Sequence, residues 1–224
     1  MQRVEGLSHI EHALGESLQT VIKVYHGRLF RGSNVDKGSF FEECLRLELS
    51  EDSEQLLSER CKLSFHRDRR SSVEYGLDLV FGWLSEDLIF HALRHRGVEI
   101  ELSGEDKFRE FLRQDEIGTS PDCLVNFKGL QRPLEIVISW KGYWQTSDKL
   151  DLRESKFGRL IGPGNESLCL GIELPSGRAF LIDMKSSRGD FVFRANPAWG
   201  YKGAFTLYGI RSKLDDLKNV IDRF

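Results

Sequence analysis

Three carboxylates stand where their spacing can bring them together: Glu86, Asp122 and Glu135. Asp122 follows Pro121 at the mouth of a hairpin pattern that runs from 122 to 127, turns at Lys128-Gly129 and returns from Leu134 to Trp140. A two-residue turn there pairs 127 with 130 and, counting outward, 122 with 135. Directly opposed residues on an antiparallel pair have Cβ atoms ~4.5–5.5 Å apart. Two carboxylates that close disfavour each other's ionisation, and a hard divalent cation between them relieves the repulsion. Mg²⁺ is commonly held by one or two carboxylates, with water and phosphate oxygens completing its shell. Glu86 lies inside an apolar series at helical spacing (Val73, Leu77, Val80, Phe81, Leu84, Leu88, Ile89, Leu93), which predicts a helix from Ser72 to Arg96.

Other chemistry-bearing patterns are weaker. His91 and His95 have the i, i+4 spacing of a zinc-binding pair, but Ala92, Leu93 and Arg94 between them supply no general-base Glu, so they read as helix-end histidines. No Gly-x-Ser-x-Gly or Cys/His arrangement supports acyl transfer. Cations cluster locally: Arg67, Arg69 and Arg70 precede the Glu86 helix, either as a solvated loop or as a phosphate-binding patch. In the tail, Arg194, Trp199, Tyr201 and Lys202 interleave aromatic and basic groups in a Gly/Pro loop. That combination suits phosphate contact with base stacking, or alternatively packing over a sheet edge.

The elements that must position these groups read as follows. Residues 1–71 form a charged, mostly helical N-terminal extension, with helices expected over 39–49 and 54–63. Residues 72–190 form the α/β core. After the Glu86 helix come a strand at 98–102, a short helix at 107–113, the hairpin, a helix over 148–161, and strands at 168–174 and 178–183. Pro133 in the return run suggests an edge position or a bulge. Residues 191–224 complete the core with a strand at 204–210 and a helix at 213–224. This order predicts a mixed central β-sheet flanked by helices. The 224 residues, 40% of them hydrophobic, provide for a real core. A formal charge of −3 gives no overall basic excess, so an anionic partner must be met by a local patch. No run approaches the ~18 apolar residues of a membrane span. The four scattered cysteines read as reduced thiols of an intracellular, cytoplasmic protein.

The order helix with Glu86, strand, Pro121-Asp122, hairpin, Glu135 resembles the PD-(D/E)XK nuclease superfamily, the restriction-endonuclease-like fold. The spacing and the Lys128-Gly129 turn are similar to those of archaeal Holliday-junction resolvases. The resemblance covers Ser72 to Asp183. It implies Mg²⁺- or Mn²⁺-dependent hydrolysis of DNA phosphodiesters, with Asp122 and Glu135 as metal ligands and Glu86 as a further ligand or water contact. It further implies a restriction-type homodimer first and a junction-resolving or repair nuclease second. The motif's lysine, two residues after the Glu, is replaced by Val137. Two lysines could supply the missing cation. Lys141 shares the strand face of Glu135, but at ~3.3 Å per residue it lies about 20 Å away. Lys156, on the following helix, could reach back and is the preferred candidate. Without a working cation, the same fold would be a catalytically inactive module that binds nucleic acid or a protein partner.

Overall fold

An almost uninterrupted apolar series with a capping box at its start organises the whole chain. The helix at Ser72–His95 opens on Ser71, whose Oγ accepts the Glu74 N–H at 3.2 Å while the Glu74 carboxylate accepts the Ser71 N–H at 2.8 Å. Half of its residues are buried, around its whole circumference, so it must be covered on all sides. The computed structural model describes residues 2–25, 27–61, 70–112, 116, 118, 120–162, 164, 166–196 and 202–224. Four helices precede the central one: α1 (Gln2–Leu14), α2 (Leu18–Val24), α3 (Lys37–Arg46) and α4 (Glu51–Cys61). The central helix is α5 (Ser72–His95). The N-terminal helices bury Leu7, Ile10, Phe40, Phe41 and Leu57 in the same core as α5, so they continue that core rather than building their own.

Next come β1 (Ile100–Leu102), β2 (Cys123–Phe127) and β3 (Leu130–Ser139), an antiparallel meander. Lys128 and Gly129 both have positive φ, 53° and 80°, as a two-residue type I′ turn requires. The register is the one expected from the sequence: Phe127 faces Leu130 and Cys123 faces Leu134. α6 (Tyr143–Ser147), β4 (Lys149–Arg153) and α7 (Glu154–Leu160) then lead to β5 (Leu168–Glu173), which returns parallel to β3. β6 (Arg178–Asp183), β7 (Phe191–Asn196), β8 (Lys202–Tyr208), β9 (Asp215–Asp216) and α8 (Leu217–Ile221) complete the chain.

The result is a mixed α/β protein. A six-stranded sheet in the order β1-β2-β3-β5-β6-β9 carries α1–α5 and α8 on one face. α6, α7 and a three-stranded sheet, β4-β8-β7, cover the other. Alternation along β3 separates the two cores. Leu134 and Ile136 point to the helical side, whereas Val137 packs with Trp144, Phe157 and Phe180 on the opposite side.

Several elements differ from expectation. The region 148–161 is not one helix: residues 149–153 pair with β8, and only 154–160 are helical. The apolar positions Leu150 and Leu152 alternate, a period of two that the longer window conceals. Residues 107–112 form turns and extended chain instead of a helix, with Arg109 left-handed at φ 52°. β7 is an additional strand, β8 runs two residues earlier than expected at either end, and the last helix shrinks to Leu217–Ile221. Pro133 lies within β3, opposite Leu124, one residue before the pairing with β5 begins at Leu134. On that side there is no ladder bond for it to break.

Candidate metal centre

Asp122 ends the approach to β2, one residue outside the ladder. Beyond Leu134, β3 no longer has β2 as a neighbour, and its next inward N–H, that of Ile136, would be left unpaired. The Asp122 side chain takes it: the Ile136 N–H donates to Oδ2 at 2.6 Å. The main-chain carbonyl of Asp122 accepts the N–H groups of Ser103 and Gly104 at 3.1 and 3.2 Å, which ties the chain after β1 to the same point. Glu135 follows Leu134 on β3 and occupies the position across from Asp122, as the extended register requires. Its carboxylate is buried, and Oε2 accepts no well-directed hydrogen bond; what it faces is the Lys156 ammonium, 2.8 Å away.

Lys156 comes from α7. Phe157 and Leu160 anchor that helix in the second core, which holds it over Glu135 and lets the lysine reach the carboxylate. Its Nζ also donates to the Ser120 carbonyl at 3.1 Å. The structure thus brings Lys156 to the pair and leaves Lys141 exposed beyond the end of β3. The slot two residues after Glu135 is filled by Val137, committed to apolar packing.

Glu86 reaches the cluster from the middle of α5, but it arrives with a partner that the sequence did not reveal. The buried Arg109 guanidinium donates from Nη1 to Glu86 Oε2 at 2.7 Å and from Nη2 to Asp87 Oδ1 at 2.6 Å. This fork sets one guanidinium against two neighbouring acids of α5. The loop that carries Arg109 is held by the N-terminal region. The Arg28 N–H donates to the Phe108 carbonyl at 2.8 Å, and the Arg28 guanidinium lies 3.9 Å over the Phe108 ring. Asp106, in the same loop, accepts the Trp83 indole N–H at 2.6 Å.

The electrostatics follow from burial. Five acids, Glu86, Asp87, Asp106, Asp122 and Glu135, face only two cations, Arg109 and Lys156. Burial, with Arg109 opposing and Asp122 reinforcing, pushes the Glu86 carboxyl to about 8. Burial and then the Glu135 charge push Asp122 to about 8. Burial outweighs Lys156 and raises Glu135 to about 7. Burial works against the Lys156 charge, yet Glu135 and Asp122 outweigh it and hold the ammonium above its ordinary range. Glu173 provides a contrast in hydrogen bonding. Glu173 is fully buried and satisfied, accepting the Trp144 and Gln145 N–H groups at 3.0 Å and the Ser176 hydroxyl at 2.8 Å. The Asp122–Glu135 pair has only the Ile136 N–H and the Lys156 ammonium for two carboxylates, fewer donors than Glu173 has for one, and a divalent cation would make up the difference. A cavity of ≈ 200 Å³ opens beside Asp122 and Lys156, and its lining includes Asp106, Ser120, Tyr75, Leu79 and Trp83.

The basic positions suggested for nucleic acid fare differently. The Arg70 guanidinium pairs with Asp78 and lies over the Tyr75 ring. Arg194 donates to Thr206 Oγ1 at 2.7 Å and to Asp151 Oδ1 at 3.2 Å, within the three-stranded sheet. Arg67, Arg69, Trp199, Tyr201 and the Lys202 side chain lie outside the described residues.

Arg109 and Asp106 were missed because a turn residue in a polar loop has no periodicity to mark it. The adjacency of Glu86 and Asp87 on an apolar helix was the available hint that a buried cation must face them. All four cysteines are free and buried, and burial raises the Cys44 and Cys61 thiols to about 12. No helix among the described residues is long and apolar enough to cross a membrane. Comparisons with family models, curated proteins and solved structures found no match.

Proposed function

We propose that this protein is a divalent-metal-dependent nuclease that hydrolyses DNA phosphodiesters, with Asp122 and Glu135 as metal ligands and Lys156 as the cation the reaction needs. One observation carries this reading: Lys156, from a different element, lies 2.8 Å from Glu135, which supports its taking the role of the missing motif lysine. Asp122 and Glu135 suit Mg²⁺ or Mn²⁺, since both are buried oxygen ligands in a site where acids outnumber cations. The ion, when bound, supplies Lewis acidity and lowers the pKa of its water.

The chain's own residues do the rest. Asp122 is locked by the Ile136 N–H, so its second oxygen keeps a fixed direction. Lys156 contributes a preorganised positive charge where negative charge develops on a phosphoryl oxygen. Arg109 fixes Glu86 and keeps that wall of the site rigid. The cavity beside Asp122 and Lys156 has the mixed polar and aromatic lining that can exclude bulk water. A restriction-type homodimer with one such site per strand is the preferred form, with a junction-resolving or repair nuclease second.

A catalytically inactive, nucleic-acid- or protein-binding module is the alternative, favoured by Val137 in the lysine slot. Plasmid DNA incubated with the protein and Mg²⁺ or Mn²⁺ separates the two. Nicking that disappears with Asp122→Asn supports the nuclease. Absence of cleavage with either ion, or undiminished cleavage by the variant, refutes it.

A further inference from the structure

The helix that carries Glu86 carries a second group of ligating side chains at its C-terminal end. His91 and His95 occupy one face of α5 at i, i+4, with their rings 4.2 Å apart. Glu16, from the connector between α1 and α2, meets both: His91 Nδ1 lies 2.7 Å from Oε2, and His95 Nδ1 lies 2.8 Å from Oε1. One ligand atom from each residue can be chosen so that all lie within 4.8 Å of one another. The Glu16 side chain is only 6% exposed, and its ion pairs among the described residues are with these two imidazoles.

We propose that Glu16, His91 and His95 form a binding site for a Zn²⁺-class transition-metal ion, separate from the Asp122–Glu135 centre. One largely buried carboxylate and two imidazoles from separate segments converge on one point, the donor set that a divalent transition-metal ion takes. Bonds of ~2.0–2.2 Å in a tetrahedral shell set ligand atoms roughly 3.3–3.6 Å apart, so a bound ion would widen the 2.7 and 2.8 Å contacts and hold the other ligand atoms within the present 4.8 Å. Two imidazoles and one carboxylate select Zn²⁺, Co²⁺, Ni²⁺ or Cu²⁺ over Mg²⁺, whereas the carboxylate pair at Asp122 and Glu135 suits hard ions such as Mg²⁺ and Mn²⁺. His95 is 62% exposed, which leaves an open side for entry and for a water in the fourth position. The residues are 75 apart in sequence, so the bound ion would clip the α1–α2 connector onto α5.

The test is a Zn²⁺ titration of metal-stripped protein in competition with a chromophoric chelator, alongside visible spectroscopy with Co²⁺. One Zn²⁺ per chain and the intense visible bands of four-coordinate Co²⁺ are expected, and both should persist in Asp122→Asn. His95→Ala removes a largely exposed ring, so it should fold and melt as the wild type does in chelator. Its Zn²⁺ affinity should fall by more than the ~10–100-fold that loss of a group merely supporting a ligand costs. His91→Ala should do the same, and if it fails to fold, His95→Ala decides alone. Failure of the wild type to bind Zn²⁺ stoichiometrically, or unchanged affinity in His95→Ala, would overturn the proposal whatever the outcome at the acidic centre.

Discussion

Lys156 is the residue on which the proposed chemistry turns, because it is a cation delivered to the carboxylates from outside the strand that carries Glu135. Lys156→Ala should lower the cleavage rate by ~10²–10³, the loss expected for one preorganised electrostatic stabiliser. DNA affinity should stay nearly constant, since at most one of several phosphate contacts is removed. Lys141→Ala should leave the rate close to that of the wild type, because Lys141 stands exposed past the end of β3. A dead Lys141 variant beside an active Lys156 variant would reverse the assignment. The three raised carboxyls make a second, independent prediction. Between the ordinary carboxylate range and pH 7–8, folded Glu86, Asp122 and Glu135 retain protons that the unfolded chain has released. Their contribution is therefore complete below the unfolded pKa and is lost as pH rises through the folded values. Each retained proton lowers stability by about 1.4 kcal/mol per pH unit across that window. Denaturant unfolding in chelator, compared between wild type and Asp122→Asn from pH 5 to 8, should show a shallower decline in the variant. Parallel declines would mean that Asp122 titrates normally.

At the scale of elements, the hairpin was legible because type I′ turn chemistry and a period of two both act locally. Lys128-Gly129 fixes the register, and the register alone puts Asp122 across from Glu135. The α5 helix was legible for the same reason: capping box and apolar period agree. β4 and β7 were not, because their partner, β8, is distant in sequence and they form a small sheet of their own. Lys156 could be nominated but not placed, since its reach depends on where Phe157 and Leu160 seat α7 in the second core. The Glu86-Asp87 pair hinted at a buried cation but not at which one; the position of Arg109 comes from a left-handed turn pinned by Arg28. That second core also depends on a close approach at β5. Gly171 lies across from Val137, and a Cβ there would sit 2.1 Å from the Phe180 ring. Gly171→Ala should therefore force Phe180 aside and cost ~1–3 kcal/mol in equilibrium unfolding. A change below about 0.5 kcal/mol, the range of an inert surface substitution, would show that the ring moves freely and that this packing does not constrain the strand under the site.

For the molecule as a whole, the N-terminal helices and the sheet share one core, and the acidic cluster lies against it. Relief of carboxylate repulsion by a bound ion should accordingly stabilise the entire fold and not just a loop. An ion at 100 times its Kd contributes about 2.7 kcal/mol to the folded state. For a chain of this size each kcal/mol moves Tm by roughly 2–4 °C. The most direct measurement is a Mn²⁺ titration of the metal-stripped protein near pH 8, following Tm in wild type and in Glu135→Gln. The variant leaves Glu16, His91 and His95 intact, so any binding there contributes equally to both proteins. The wild type should gain about 5–11 °C on saturation, and Glu135→Gln should lose most of that gain. Equal shifts in the two proteins, or none in the wild type, would contradict a metal centre at Asp122 and Glu135.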